Sequence, residues 1–273
     1  MTLRHGLAKS KNMISIRILE AIGPKYAQEW IAKFGFDPEK HPPFLTMALG
    51  AGSVTPLQMA EAYAVFANGG HRLNPWIIDH ITDQKGKVLV QTKPPVPNEE
   101  NRVIEPRNAY IMDSLLQEVA RSGTAARAQA TLKRPDLYGK TGTTNDSMDA
   151  WFAGFQPSLV AITWIGYDTP RKLGDRETGG GLSLPVWISF MQEALKNVAV
   201  QEYLPPAGVV FTNGDWYYTE FANGAGVTAL GEGHAPAAQV APTPSATPSP
   251  NPTNATPANK PADERSKILN LFR

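Results

Sequence analysis

The sequence predicts an α+β domain, and three observations carry that reading. Apolar stripes of helical period are bounded by stop signals; three strand-like runs follow one another between residues 138 and 168; an amphipathic segment after them suits a cover for the sheet. At 273 residues and 42% hydrophobic composition, the chain holds enough apolar material to bury a real core.

The elements follow in order. Met13, Ile16, Ile18, Leu19 and Ile22 make a helical stripe over Asn12 to Ile22, stopped by Gly23, and Pro24 opens a second short helix running to Phe34. Thr55, Pro56 and Gln58 form a capping box with proline at the first helical position, and Met59, Ala62, Tyr63 and Phe66 continue the stripe until Asn68, Gly69 and Gly70 end it. Trp76 to Thr82 and Lys87 to Gln91 flank a polar turn at Gly86 and read as a hairpin peripheral to any site. Beyond the proline-bearing loop Lys93 to Asn101, Pro106 opens a helix with Met112, Leu115, Leu116 and Val119 on one face, ending near Gly123.

Tyr138 to Thr143 reads as a strand, followed by an antiparallel pair over Trp151 to Phe155 and Leu159 to Asp168, joined at Gln156, Pro157 and Ser158. Gly179, Gly180 and Gly181 read as a flexible loop, equally a plain turn or the flank of a binding groove, before a helix over Leu182 to Val198. Trp151, Phe152, Phe155, Trp164 and Trp187 are expected to pack sheet against helix. From Ala235 to Ala262 eight prolines sit among small polar residues, a stretch expected to be disordered because it cannot offset its ordering entropy. The expected division is a domain over 1–230 and a Pro/Ala/Thr-rich tail over 231–273, with Ile268, Leu269, Leu271 and Phe272 more in keeping with a frayed end than a docking helix.

Composition excludes several classes of function. Lys and Arg number 26 against 25 for Asp and Glu, so the net charge of +1 gives no field to gather nucleic acid or anionic lipid. The absence of cysteine excludes thiol catalysis, disulfides and thiolate metal sites. Residues 1–11 lack a signal peptide's apolar centre, and no run approaches ~18 apolar residues. His5, His41, His71, His80 and His234 and the scattered acids show no metal-ligand or triad spacing, so no metal or cofactor is expected.

The string Lys140-Thr141-Gly142-Thr143-Thr144 carries the chemistry. Lys-Thr-Gly arises by chance in roughly 3% of chains this long, so its context decides, and Ser-x-x-Lys, Ser-x-Asn and Lys-Thr-Gly together mark the penicillin-recognising serine enzymes. Ser10-Lys11-Asn12 supplies Ser-x-Asn, although a helix cap would use the same residues. No serine has lysine three residues later, so the Ser-x-x-Lys nucleophile and base are absent from the chain.

Around these motifs, Leu7 to Met13, Leu49 to Leu57, Gly123-Thr124-Ala125, Asp149 to Gly154 and Gly166-Tyr167-Asp168 resemble the class A (bifunctional) penicillin-binding proteins of the 1A type, over roughly Thr2 to Leu204. The resemblance implies the transpeptidase fold shared with serine β-lactamases, N-terminally truncated so that Met1 falls inside the domain. The implied reaction is serine acyl transfer that cross-links D-Ala-D-Ala stem peptides of peptidoglycan and is intercepted by β-lactams. It implies Ser10 and Lys140 as catalytic, and Asn12, Thr141, Gly142 and Thr143 as substrate-binding, with the Thr143 N–H as half of an oxyanion hole. It also implies the periplasmic face of a bacterial inner membrane, an anchored parent protein and cell-wall synthesis partners. The alternative is a non-catalytic remnant or interaction module; a serine β-lactamase shares Lys-Thr-Gly but fits the text after Thr144 less well.

Overall fold

The computed structural model describes residues 1–224; the expected boundary at residue 230, the proline-rich tail and the last apolar residues lie outside the described residues. Helix α1 (Leu3–Ala8) was not expected, whereas α2 (Asn12–Ile22) and α3 (Pro24–Ile31, followed by a 3-10 turn to Phe34) match the stripes. Helix α4 (Pro56–Ala67) starts at the expected capping box, with Thr55 Oγ1 accepting from the Gln58 N–H and Gln58 Oε1 from the Thr55 N–H.

The β1 (His80–Thr82) and β2 (Val88–Gln91) hairpin is shorter than predicted and exposed along both strands. Helix α5 (Pro106–Ser122) ends where Gly123 was expected to end it, and a second unexpected helix, α6 (Ala126–Leu132), follows.

Strands β3 (Tyr138–Thr143), β4 (Ala150–Gln156) and β5 (Leu159–Ile165) form an antiparallel sheet in that order, so among the described residues β3 has one free edge. Strand β5 stops short of Asp168 at Gly166, where a Cβ would lie 2.5 Å from Asp149 Oδ1. The glycine run is not a loop: Gly179–Ser183 forms a turn of π-helix leading into α7 (Leu184–Ala194), which is shorter than expected. A last hairpin, β6 (Val209–Thr212) and β7 (Asp215–Tyr218), was not anticipated.

Alternation along β4 sends Phe152 and Phe155 to opposite faces of the sheet. Phe152 meets Trp187 of α7 edge-on, ring centroids 4.9 Å apart, in a core completed by Val119, Leu137, Leu184 and Met191. Phe155 stacks on Tyr138 at 4.9 Å and packs with Leu116 and Ala67. Each ring is removed from water altogether, stabilising the layers by about 1.5–3 kcal/mol per side chain. With both faces covered, the β3 edge is where a site can form.

Candidate active site

The α1–α2 turn carries Ser10, Lys11 and Asn12. Ser10 has φ +51°, a left-handed conformation uncommon outside glycine and of the kind that clusters at functional sites. The turn is pinned to the end of α5: the Thr124 N–H donates to the Ala8 carbonyl at 2.9 Å and Lys9 Nζ to the Ser122 carbonyl at 2.6 Å. Gly123 is needed there, since a Cβ would sit 2.3 Å from that same Ala8 oxygen. On its far side α1 is held by Arg4, which reaches Asp215 Oδ1 through Nε at 2.9 Å and the Ser114 carbonyl through a second nitrogen at 2.7 Å.

Held in this way, Ser10 meets β3. Lys140 Nζ donates to Ser10 Oγ at 2.8 Å and to the Thr141 carbonyl at 2.9 Å. The helix-cap reading of Ser10 and Asn12 fails, because Lys11 occupies the N-cap of α2 and no side chain caps it. Burial, with no acidic partner among the described residues to offset it, lowers the Lys140 ammonium from the ordinary 10.5 to about 8. Near neutral pH this lysine can exchange its proton.

The hydroxyls of β3 point elsewhere. Thr141 Oγ1 lies 2.7 Å from Thr124 Oγ1, and Thr143 Oγ1 accepts from the Gly179 N–H at 3.0 Å. The Thr144 N–H donates to the Asp149 carbonyl at 3.1 Å, and antiparallel alternation then puts Gly142 and Lys140 in the same inward phase. The peptide groups of Thr141 and Thr143 therefore face the free edge. Gly142 lies opposite Trp151, and a Cβ on it would stand 3.2 Å from the Trp151 Cβ.

Two clefts flank the strand. One, of about 560 Å³, brings together Ser10, Asn12, Thr141 and Thr143 and adds Thr124, Arg127 and Thr178; no carboxylate lines it among the described residues. The other, of about 520 Å³, is walled by Lys140, Gly142, Trp151, Trp164, Tyr63 and Tyr167. Trp151 and Trp164 thus line a cleft instead of filling the core, while Phe152, Phe155 and Trp187 are fully buried as expected. Trp164 Nε1 donates to Asp149 Oδ1 at 2.7 Å, which fixes that wall.

All six expected site residues, Ser10, Asn12, Lys140, Thr141, Gly142 and Thr143, lie on these two clefts. Thr124, Arg127 and Thr178 were not picked out as site residues, whereas Gly179 to Gly181 were weighed as a flank of the groove, and Gly180 lines one of the clefts. No three His, Asp or Glu side chains come together as a metal cradle among the described residues, and no helix there is long and apolar enough to cross a membrane.

Residues 1–186 match the family model described as the penicillin binding protein transpeptidase domain. The chain belongs to this family. Penicillin-binding protein 1A of Neisseria flavescens is 50% identical over 221 residues, covering 81% of this chain and 28% of that protein. The crystal structure of penicillin-binding protein 1A from Haemophilus influenzae superposes with a TM-score of 0.72 at 36% identity, over 77% of this chain and 36% of that one. The PonA1 protein of Mycobacterium tuberculosis, solved in complex with penicillin V, aligns at TM-score 0.50 and 25% identity over 63% of this chain and 46% of that one. The fold expected from the motifs is thus the fold of the penicillin-binding transpeptidases. The chain spans under a third of the length of the 1A relatives it matches.

Proposed function

We propose that this chain forms the substrate-binding wall of a peptidoglycan D,D-transpeptidase that recognises D-Ala-D-Ala stem peptides and is blocked by β-lactams. The observation that carries this reading is the 2.8 Å bond between Lys140 Nζ and Ser10 Oγ, which joins two of the three motifs that mark the chemistry. A family whose model covers residues 1–186, and a relative solved with penicillin V, support it.

In the reaction a serine oxygen attacks the carbonyl of the penultimate D-Ala, the C–N bond to the last D-Ala breaks, and an amine from a second strand displaces the serine from the ester. The leaving nitrogen needs a proton. Ser10 Oγ, bonded to the Lys140 ammonium, is placed to relay one, and Lys140 recovers it readily because its pKa lies at about 8. Thr141 and Thr143 offer hydroxyls to the terminal carboxylate, Asn12 holds the substrate amide, and the free β3 edge pairs with the extended peptide. The edge-facing Thr143 N–H suits a developing oxyanion.

Because no serine here has lysine at the third position after it, the acylated serine in this reading belongs to sequence outside this chain, in a protein active at the periplasmic face of the inner membrane. Fluorescent penicillin tests this directly. After denaturation, the chain alone should carry no covalent label, whereas a longer protein that adds a Ser-x-x-Lys segment should be labelled at that serine. Label on the 273-residue chain itself would defeat the reading.

A further inference from the structure

The π-helical turn Gly179–Ser183 is fastened at both ends. Thr178 Oγ1 accepts from the Gly181 N–H at 3.0 Å at its start, and Ser183 Oγ donates to the Ala150 carbonyl on β4 at 2.7 Å at its end. Between these bonds Gly179 lies flat against the sheet: a Cβ on it would be 2.2 Å from the Trp151 oxygen and 2.4 Å from the Gly142 oxygen. Only glycine fits, and the fit aims its N–H at Thr143 Oγ1, 3.0 Å away.

A threonine hydroxyl has one proton and two lone pairs. Once the Gly179 N–H occupies a lone pair, the Thr143 rotamer is set and its proton is free to be given to something else. The cleft in front of it holds Arg127, Asn12 and Ser10 and, among the described residues, no carboxylate, so an anion is the acceptor it suits.

We infer that Gly179 is a positioning residue: its N–H orients the Thr143 hydroxyl as a donor to the substrate's terminal carboxylate, and the Thr178–Gly180 turn is the second wall of that subsite. This rests on the functional reading above. Thr178 and Gly180 also line the cleft, so the contribution that Gly179 makes through its N–H is the part that must vanish when the Thr143 hydroxyl is absent, and a merely structural role would not show this dependence.

The test titrates the purified 273-residue chain with diacetyl-L-Lys-D-Ala-D-Ala and with its C-terminal amide, following amide chemical shifts by NMR. The wild-type chain should favour the acid over the amide. Gly179→Ala should lower that preference about tenfold, the size of one charge-assisted hydrogen bond, and should change nothing further in a Thr143→Val background, while Thr143→Ser keeps the preference. Thr178→Ala, which loosens the turn without placing a Cβ against Gly142, should act in the same direction, and it decides the matter through the same cycle if Gly179→Ala does not fold. Equal wild-type affinity for acid and amide would remove the functional reading and this inference with it. A wild-type preference that the turn variants leave intact, or lower equally with Thr143→Val, would overturn the inference alone.

Discussion

Lys140 Nζ and Ser10 Oγ are 2.8 Å apart across 130 residues of sequence, so one hydrogen bond joins the turn between the first two helices to the edge strand of the sheet and supplies the proton path proposed above. Ser10→Ala and Lys140→Ala should each weaken binding of a D-Ala-D-Ala peptide about tenfold, and the double variant should lose less than the product of the two. Calorimetric titration of the four proteins measures the coupling. Strict additivity would mean that the two groups act independently.

Acidity at Lys140 gives a pH dependence with a definite sign. Because burial lowers its pKa to about 8, the positive charge that favours a carboxylate ligand is present below pH 8 and lost above it. Affinity for the acid peptide should fall as pH rises through about 8, while affinity for the amide and the behaviour of Lys140→Met should stay flat. Stability runs the other way: between about 8 and the ordinary 10.5 the unfolded lysine still holds a proton that the folded one has released, so this group makes the fold more stable as pH rises.

Strain at Ser10 separates stability from function. At φ +51° a residue with a side chain carries a cost that glycine avoids. Relative to Ser10→Ala, which loses the same Lys140 contact, Ser10→Gly should therefore gain on the order of 1 kcal/mol, read as about 2–4 °C in Tm, while weakening peptide binding equally. A glycine variant no more stable than the alanine variant would show that the turn is not strained.

How much of this was legible beforehand depends on the range of the interaction. The α4 capping box, the α5 face and the three-strand order are local patterns, and they were read from Thr55, Pro106 and the alternation after Tyr138. Helix α1 is six residues long with Gly6 inside it and depends on Arg4 bonds to Ser114 and Asp215, which no local pattern shows. The displacement of Trp151 from the core was not legible from alternation, because Trp151 shares the face opposite Phe152 with Phe155, and Phe155 is fully buried there. Thr124 and Gly179 reach Thr141 and Thr143 only through the tertiary fold, so spacing could not associate them.

A buried carboxylic acid gives another test. Asp113 is 3% exposed, its Oδ1 has no partner among the described residues, and burial raises its pKa well above the usual carboxylate range. A raised acid is easy to keep protonated at low pH and penalises the fold once pH passes the unfolded value of 3.8. Asp113→Asn should raise Tm at pH 7 by about 2–4 °C, on the order of 1 kcal/mol, and give no gain at pH 3. Melting curves at the two pH values decide it, and an equal gain at both would show that ionisation is not the cause.

The Arg4 to Asp215 pair also bears on the order of assembly. The two residues are 211 positions apart, and a ribosome adding ~5–20 residues per second separates their appearance by roughly 10 to 40 s. During that interval the first helix lacks the acid that neutralises its guanidinium, and the Ser10 turn it supports lacks its final brace. A nascent chain arrested before Asp215 should therefore present the sheet already paired and the turn still unset, so the Ser10–Lys140 bond matures after the scaffold that carries it.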